Sequence, residues 1–103
     1  MIVRAWRARA AVATAHVYAE HFRRQVLPEL RRIPGFLGAA LLREAREDAV
    51  GYLVLSRWSS LDAIRAFAGA EVTRAVVAPE AAAALLDFDD AVSHYEVIEE
   101  MRA

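Results

Sequence analysis

Gly51-Tyr52-Leu53-Val54-Leu55-Ser56-Arg57-Trp58 is the stretch whose reading decides the fold. Side chains alternate across a strand, so Tyr52, Val54, Ser56 and Trp58 share one face while Leu53 and Leu55 begin the other. Both faces are largely apolar. A sheet with one wetted face alternates cleanly between apolar and polar residues, so each side of this strand calls for a cover. Helices of the same chain supply one cover, and a second subunit is the simplest source of the other.

Upstream, Phe36 to Arg43 reads as a partner strand, joined to Val50–Trp58 through the charged stretch Glu44-Ala45-Arg46-Glu47-Asp48 as a hairpin. Before it, Tyr18, Phe22, Val26, Leu30 and Ile33 draw one apolar stripe along a helix capped by Thr14 and stopped by Pro34-Gly35. Pro28 lies inside that helix. It lacks an N–H, costs about 3 kcal/mol at mid-helix, and predicts a kink or a restart there. Ile2 to Ala8 alternates as a first strand, with Val3 and Ala5 on one face and Ile2, Arg4 and Trp6 on the other.

Downstream, Ser59 with Asp62 three residues on has capping-box spacing, and Leu61, Ile64, Phe67 and Ala68 give the second helix a core face that Gly69 ends. Pro79 opens a short alanine-rich helix with Glu80 in its first turn, ending at Leu85, Leu86 and Phe88. Ala91 to Met101 reads as the last strand, with Val92, His94, Glu96 and Ile98 on one face and Ser93, Tyr95, Val97 and Glu99 on the other. The order is strand, helix, strand, strand, helix, strand. The fold expected is therefore α+β and ferredoxin-like (βαββαβ), an antiparallel sheet with helices on one face, as one domain over residues 1–103. Two such sheets joined through their bare faces make a dimeric α+β barrel.

The composition narrows the chemistry. There is no Cys, Lys or Asn, and all 13 basic residues are Arg. Disulfides, thiolate nucleophiles, sulfur-ligated zinc, Schiff bases and a phosphate-loop lysine are excluded. The four glycines and four serines form neither a dinucleotide fingerprint nor a nucleophile elbow. With 14 acidic residues and a formal net charge of -1, no overall field attracts nucleic acid or an acidic membrane. No run approaches the roughly 20 apolar residues of a membrane helix. Arg4, Arg7 and Arg9 precede an apolar run as a secretory signal would. However, Ala10 to Ala15 is short and broken by Thr14, so a cytoplasmic protein is expected. Large apolar residues are numerous for the interior of a lone 11.4 kDa chain, which again favours a homodimer.

Pro34-Gly35-Phe36, Trp58-Ser59-Ser60, Phe88-Asp89 and His94-Tyr95-Glu96-Val97, in this order and spacing, span nearly the whole chain. In these features it resembles the antibiotic biosynthesis monooxygenase family of dimeric α+β barrels. The resemblance implies a homodimer with a pocket in each subunit, between helices and sheet, for an aromatic polyketide, quinol or other small ligand. Several members oxidise an anthrone or quinol with O₂ without metal or flavin; the substrate is deprotonated and its anion reduces oxygen. Other branches degrade haem or process small signalling molecules. The haem-degrading branch uses an Asn on the first strand, a Trp in the second helix and a haem-ligating His about ten residues later. Here the second helix carries Phe67, the later position falls near Val77, and no Asn exists. Some anthrone-oxidising members also hold the substrate oxygen with Asn.

His94 is the candidate catalytic base, because an imidazole titrates near pH 6.5 and can accept a proton from an acidic phenol or benzylic carbon. A strand histidine also serves as an interior hydrogen-bond partner. Tyr52, Trp58 and Phe67 are candidate walls of an aromatic-substrate pocket, with core packing as the competing reading. Arg57 or Arg7 is a candidate for stabilising a developing enolate or phenolate, against surface pairing with a carboxylate. His16 and His21 lie about 140° apart around their helix and cannot share a metal, so no metal or other cofactor is expected. Arg23-Arg24 and Arg31-Arg32 read as solvated helix surface. The function expected is cofactor-independent oxidation of a small anthrone- or quinol-type aromatic by O₂. The alternatives are a non-catalytic dimer holding a small apolar ligand, or a haem-degrading relative.

Overall fold

The computed structural model describes residues 1–103. In chain order the elements are β1 (Ile2–Ala11), α1 (Ala15–His21), a π turn (Phe22–Val26), α2 (Leu27–Arg31), β2 (Phe36–Ala45), β3 (Ala49–Trp58), α3 (Leu61–Ala68), α4 (Pro79–Ala83), β4 (Asp87–Phe88) and β5 (Ser93–Glu96). The strands form one antiparallel sheet in the order β2-β3-β1-β4, and β5 lies beside β4 on the same edge of β1. The helices cover one face. This is the ferredoxin-like arrangement that the element order predicts.

The register of β1 on β3 is unbroken from Ile2 opposite Trp58 to Ala11 opposite Ala49. Directly opposed residues share a face, so Arg4 and Ser56, Trp6 and Val54, and Ala8 and Tyr52 all point towards the helices. The helix-side core has two parts. Trp6, Tyr18, Phe22 and Tyr52 anchor one; Leu30, Trp58 and Ile64 form the other, with Trp58 and Ile64 wholly buried. No helix lies over the opposite face, where Leu53 and Leu55 are only half-buried and Leu37 and Leu42 are exposed.

Several local expectations change. The helix cap is Ser60, one residue later than expected. Its Oγ accepts the Ala63 N–H at 3.2 Å, while the Ser59 N–H is taken by the Gly35 carbonyl at 2.8 Å. That contact brings α3 so close that a Cβ on Gly35 (φ +90°) would lie 2.6 Å from the Ala63 Cβ. Thr14 occupies the cap position of α1 without a side-chain bond. Pro28 is accommodated by a restart. The Leu27 N–H reaches back to Phe22 O in a π turn, and Pro28 falls in the first turn of α2, where its missing N–H is not needed.

Phe88 lies in β4 rather than closing a helix, because α4 ends at Ala83. The last strand is four residues, not eleven. Glu96 pairs with Ile2, the Val97 N–H bonds Met1 O, and the ladder ends there. Ile98 and Met101 consequently stand 93% and 91% exposed.

Candidate active site

Between the helices and the sheet lies a cavity of about 180 Å³, walled by Trp6, Tyr18, Phe22, Val26, Phe67 and Val77. Arg4 enters it from β1. Opposite Ser56 on one side and His94 on the other, its side chain is carried into the helix-facing layer and is 5% exposed. Its NH1 donates to Val72 O at 2.5 Å and His94 Nε2 at 3.0 Å, and its NH2 to Arg74 O at 2.8 Å. The guanidinium carbon also lies 5.7 Å from the centre of the Phe67 ring. A guanidinium has five N–H donors, so two remain. No carboxylate pairs with Arg4. Burial pulls its pKa below the ordinary value, yet arginine keeps its charge, so Arg4 is a buried cation with no carboxylate in contact with it.

Two hydroxyls join it. Tyr18 is 4% exposed, lines the cavity and makes no hydrogen bond through its OH; burial first, and Tyr52 second, push its pKa up, so it remains a donor. Ser56 Oγ accepts from Trp58 Nε1 at 2.9 Å, which leaves its own proton free to donate. His21 and the exposed Gln25, Glu29 and Glu80 line the outer part.

Of the residues expected from the sequence to be catalytic or to line a pocket, Phe67 lines this cavity and the others do not; His21, weighed there only as a metal ligand, lines it as well. His94 stands behind Arg4. Because a guanidinium can only donate, His94 Nε2 is the acceptor and the neutral ring carries its proton on Nδ1. Burial first, and the charge of Arg4 second, hold its pKa below the usual histidine value. Tyr52 is a core residue whose OH donates to Ala15 O at 2.8 Å and whose ring packs 5.3 Å from Tyr18. Trp58 packs between Phe36 and Phe67, with centroids at 5.3 and 5.8 Å. Arg57 and Arg7 sit on the uncovered sheet face, Arg57 beside Gly38 and Arg7 in a polar recess towards the hairpin. Sequence reasoning missed Arg4 and Tyr18. The readable signal for Arg4 was its phase: it shares a strand face with Trp6 and Ala8, where a charged residue is out of place unless it is held.

A sequence model of the antibiotic biosynthesis monooxygenase family matches residues 1–79. The chain belongs to this family. Among solved structures it is similar to a putative antibiotic biosynthesis monooxygenase from Bacillus cereus, with a TM-score of 0.73, 18% identity, and 100% and 96% of the two chains covered. It is similar also to SnoaB, a cofactor-independent oxygenase from Streptomyces nogalater (TM-score 0.64, 22% identity, 99% and 98% covered). MhuD, a haem-degrader from Mycobacterium tuberculosis solved with two haems in its active site, aligns with a TM-score of 0.64 at 23% identity, covering 99% and 100%. No curated protein matches the chain. Within the family frame, the cavity wall at Phe67 and Val77 is hydrocarbon and places no ligating nitrogen there; the imidazole among the lining residues is that of His21. No helix is long and apolar enough to cross a membrane.

The Arg4–His94 bond makes stability depend on pH in a stated direction. His94 is held neutral in the folded protein, so its contribution is complete above the unfolded value of about 6.5 and is lost as pH falls from there through the lower folded value. Urea unfolding at pH 7 and pH 5 is expected to show a smaller loss of stability in His94→Gln, which keeps an acceptor for Arg4, than in the native protein. Equal losses would contradict this account of His94.

Proposed function

We propose that this protein is a cofactor-independent monooxygenase that oxidises a small aromatic of the anthrone or quinol type with O₂. The observation that carries the reading is Arg4, a buried cation with two free N–H donors in an apolar, aromatic-walled cavity beside an unpartnered Tyr18 hydroxyl. An apolar cavity of about 150 Å³ accommodates benzene. One ring would therefore be enclosed here, with the rest of the molecule reaching the rim. A substrate oxygen accepting from Arg4 and Tyr18 becomes a far weaker base, because a fixed charge in a dry site stabilises the phenolate or enolate more strongly than water does.

The reacting CH₂ of an anthrone loses a proton to His21, whose ring lines the cavity. The carbanion adds to O₂, forming a C–O bond and a peroxide anion; reprotonation and loss of water leave a ketone. The net change is CH₂ + O₂ to C=O + H₂O. His94, its lone pair already taken by Arg4, acts as a positioning residue rather than the base.

Oxygen uptake on a panel of anthrones and quinols tests this. The native protein is expected to turn over at least one. Arg4→Gln is expected to lose roughly 10²–10³-fold in kcat, as when one preorganised oxyanion donor is removed. His21→Ala should lose proton abstraction, while His94→Gln retains most of kcat. Absence of native turnover, or an unimpaired Arg4→Gln protein, would overturn the proposal. Thermal stabilisation by these aromatics without oxygen consumption would instead favour a binding protein.

The same reading includes a homodimer joined through the uncovered sheet faces. The chain exposes 6941 Å², roughly a fifth more than the 5,800 Å² or so of a compact monomer of its mass. The excess includes Leu37, Leu42, Ile98 and Met101. Sedimentation equilibrium at micromolar concentration is expected to give twice 11.4 kDa, and Leu53→Glu to give half of that. A stable native monomer would contradict the dimer.

A further inference from the structure

The cavity is polar at both ends, with opposite preferences. Its buried end presents a cation and two hydroxyls able to donate: Arg4, Tyr18 and Ser56. Its outer end carries two carboxylates, Glu29 on α2 and Glu80 in the first turn of α4, both exposed and neither in an ion pair. The other polar side chains there are Gln25 and His21. Tyr18, buried and unpartnered, independently marks the inner end as built for a ligand acceptor.

We infer that Glu29 and Glu80 are specificity-determining residues that select substrate by the outer substituent. They admit an aromatic bearing a hydroxyl, amine or amide donor there and turn away one bearing a carboxylate. This rests on the proposed occupancy of the cavity by an aromatic with its oxygen against Arg4. The physical basis is charge repulsion in a cleft with low-dielectric walls, where two carboxylates facing a third are screened less than on an open surface. A donor at the same place gains a charge-assisted hydrogen bond. Binding orientation is fixed from the other end, because only Arg4 offers a cation to an anionic group. The substrate is thus read as a hydroxylated or aminated aromatic ketone or phenol with no acid group at its distal edge.

Two probes of nearly the same shape isolate the outer substituent. Both 6-carbamoyl-2-naphthoate and naphthalene-2,6-dicarboxylate can place a carboxylate on Arg4, and they differ at the far edge by an amide against a carboxylate. Calorimetric titration is expected to show the amide binding at least about tenfold more tightly to the native protein, with a gap that narrows as ionic strength rises. In the Glu29→Gln/Glu80→Gln protein, whose folding is checked by circular dichroism, the gap is expected to fall to about twofold or less. Equal native affinities, or a gap that survives the double substitution, would overturn the inference and leave the oxygenase proposal standing. If neither probe binds, both readings fall together.

Discussion

A guanidinium buried to 5% exposure is the constraint on which the upper half of this molecule depends. Arg4 leaves water, and three acceptors from two parts of the chain replace its hydration: Val72 O, Arg74 O and His94 Nε2. Two of these belong to residues 69–78, which form neither helix nor strand yet supply Val76, Val77 and Ala78 to the cavity. Backbone bonds from Ala75 to Asp90 O and from Val92 to Thr73 O fasten the same segment to the chain beyond α4. A buried charge is costly unless hydrogen-bonded. The requirement therefore works in both directions: the segment is held because Arg4 must be satisfied, and Arg4 stays in the cavity because the segment satisfies it. Two unused N–H groups are the chemical residue of that arrangement.

The position of Arg4 follows from register. One unbroken antiparallel ladder between β1 and β3 fixes which side chains meet the helices, and a slip by one residue would turn Arg4 and Trp6 out and Val3 and Ala5 in. The aromatic packing depends on the same ladder. Tyr18 packs against both Trp6 and Tyr52, and Trp58 stacks on Phe67, which in turn faces the Arg4 cation. Tyr52 and Trp58 thus support the cavity from behind through Tyr18 and Phe67, without lining it.

Periodicity made the β2–β3 hairpin, the long helix and the uncovered sheet face legible, because each is a repeating pattern of burial. Position-specific backbone events were less so. The π turn before Pro28 and the shift of the cap from Ser59 to Ser60 depend on where carbonyls fall, which side-chain pattern does not encode. The last strand is shorter than its alternation implies, because the pattern in Val97 to Met101 continues past the last ladder pair, Glu96 with Ile2. At the cavity, Phe67 stands on the wall, whereas Trp58 and Tyr52 share the helix-facing side but lie one layer behind it. His94 was seen as a titratable group; that its lone pair is occupied appears only when Arg4 is placed opposite it. With no Asn in the chain, the oxygen-holding arrangement of the Asn-using members cannot be copied directly, and in the function proposed above the buried arginine takes that role.

The central claim is that the cavity stabilises an aromatic oxyanion through Arg4. The most direct measurement is the pKa of 2-naphthol bound to the protein, followed by absorbance against its free value. The account predicts a lowered pKa in the native protein and no lowering in Arg4→Met. A bound naphthol whose pKa is unchanged or raised in the native protein, as burial alone would produce, would contradict it.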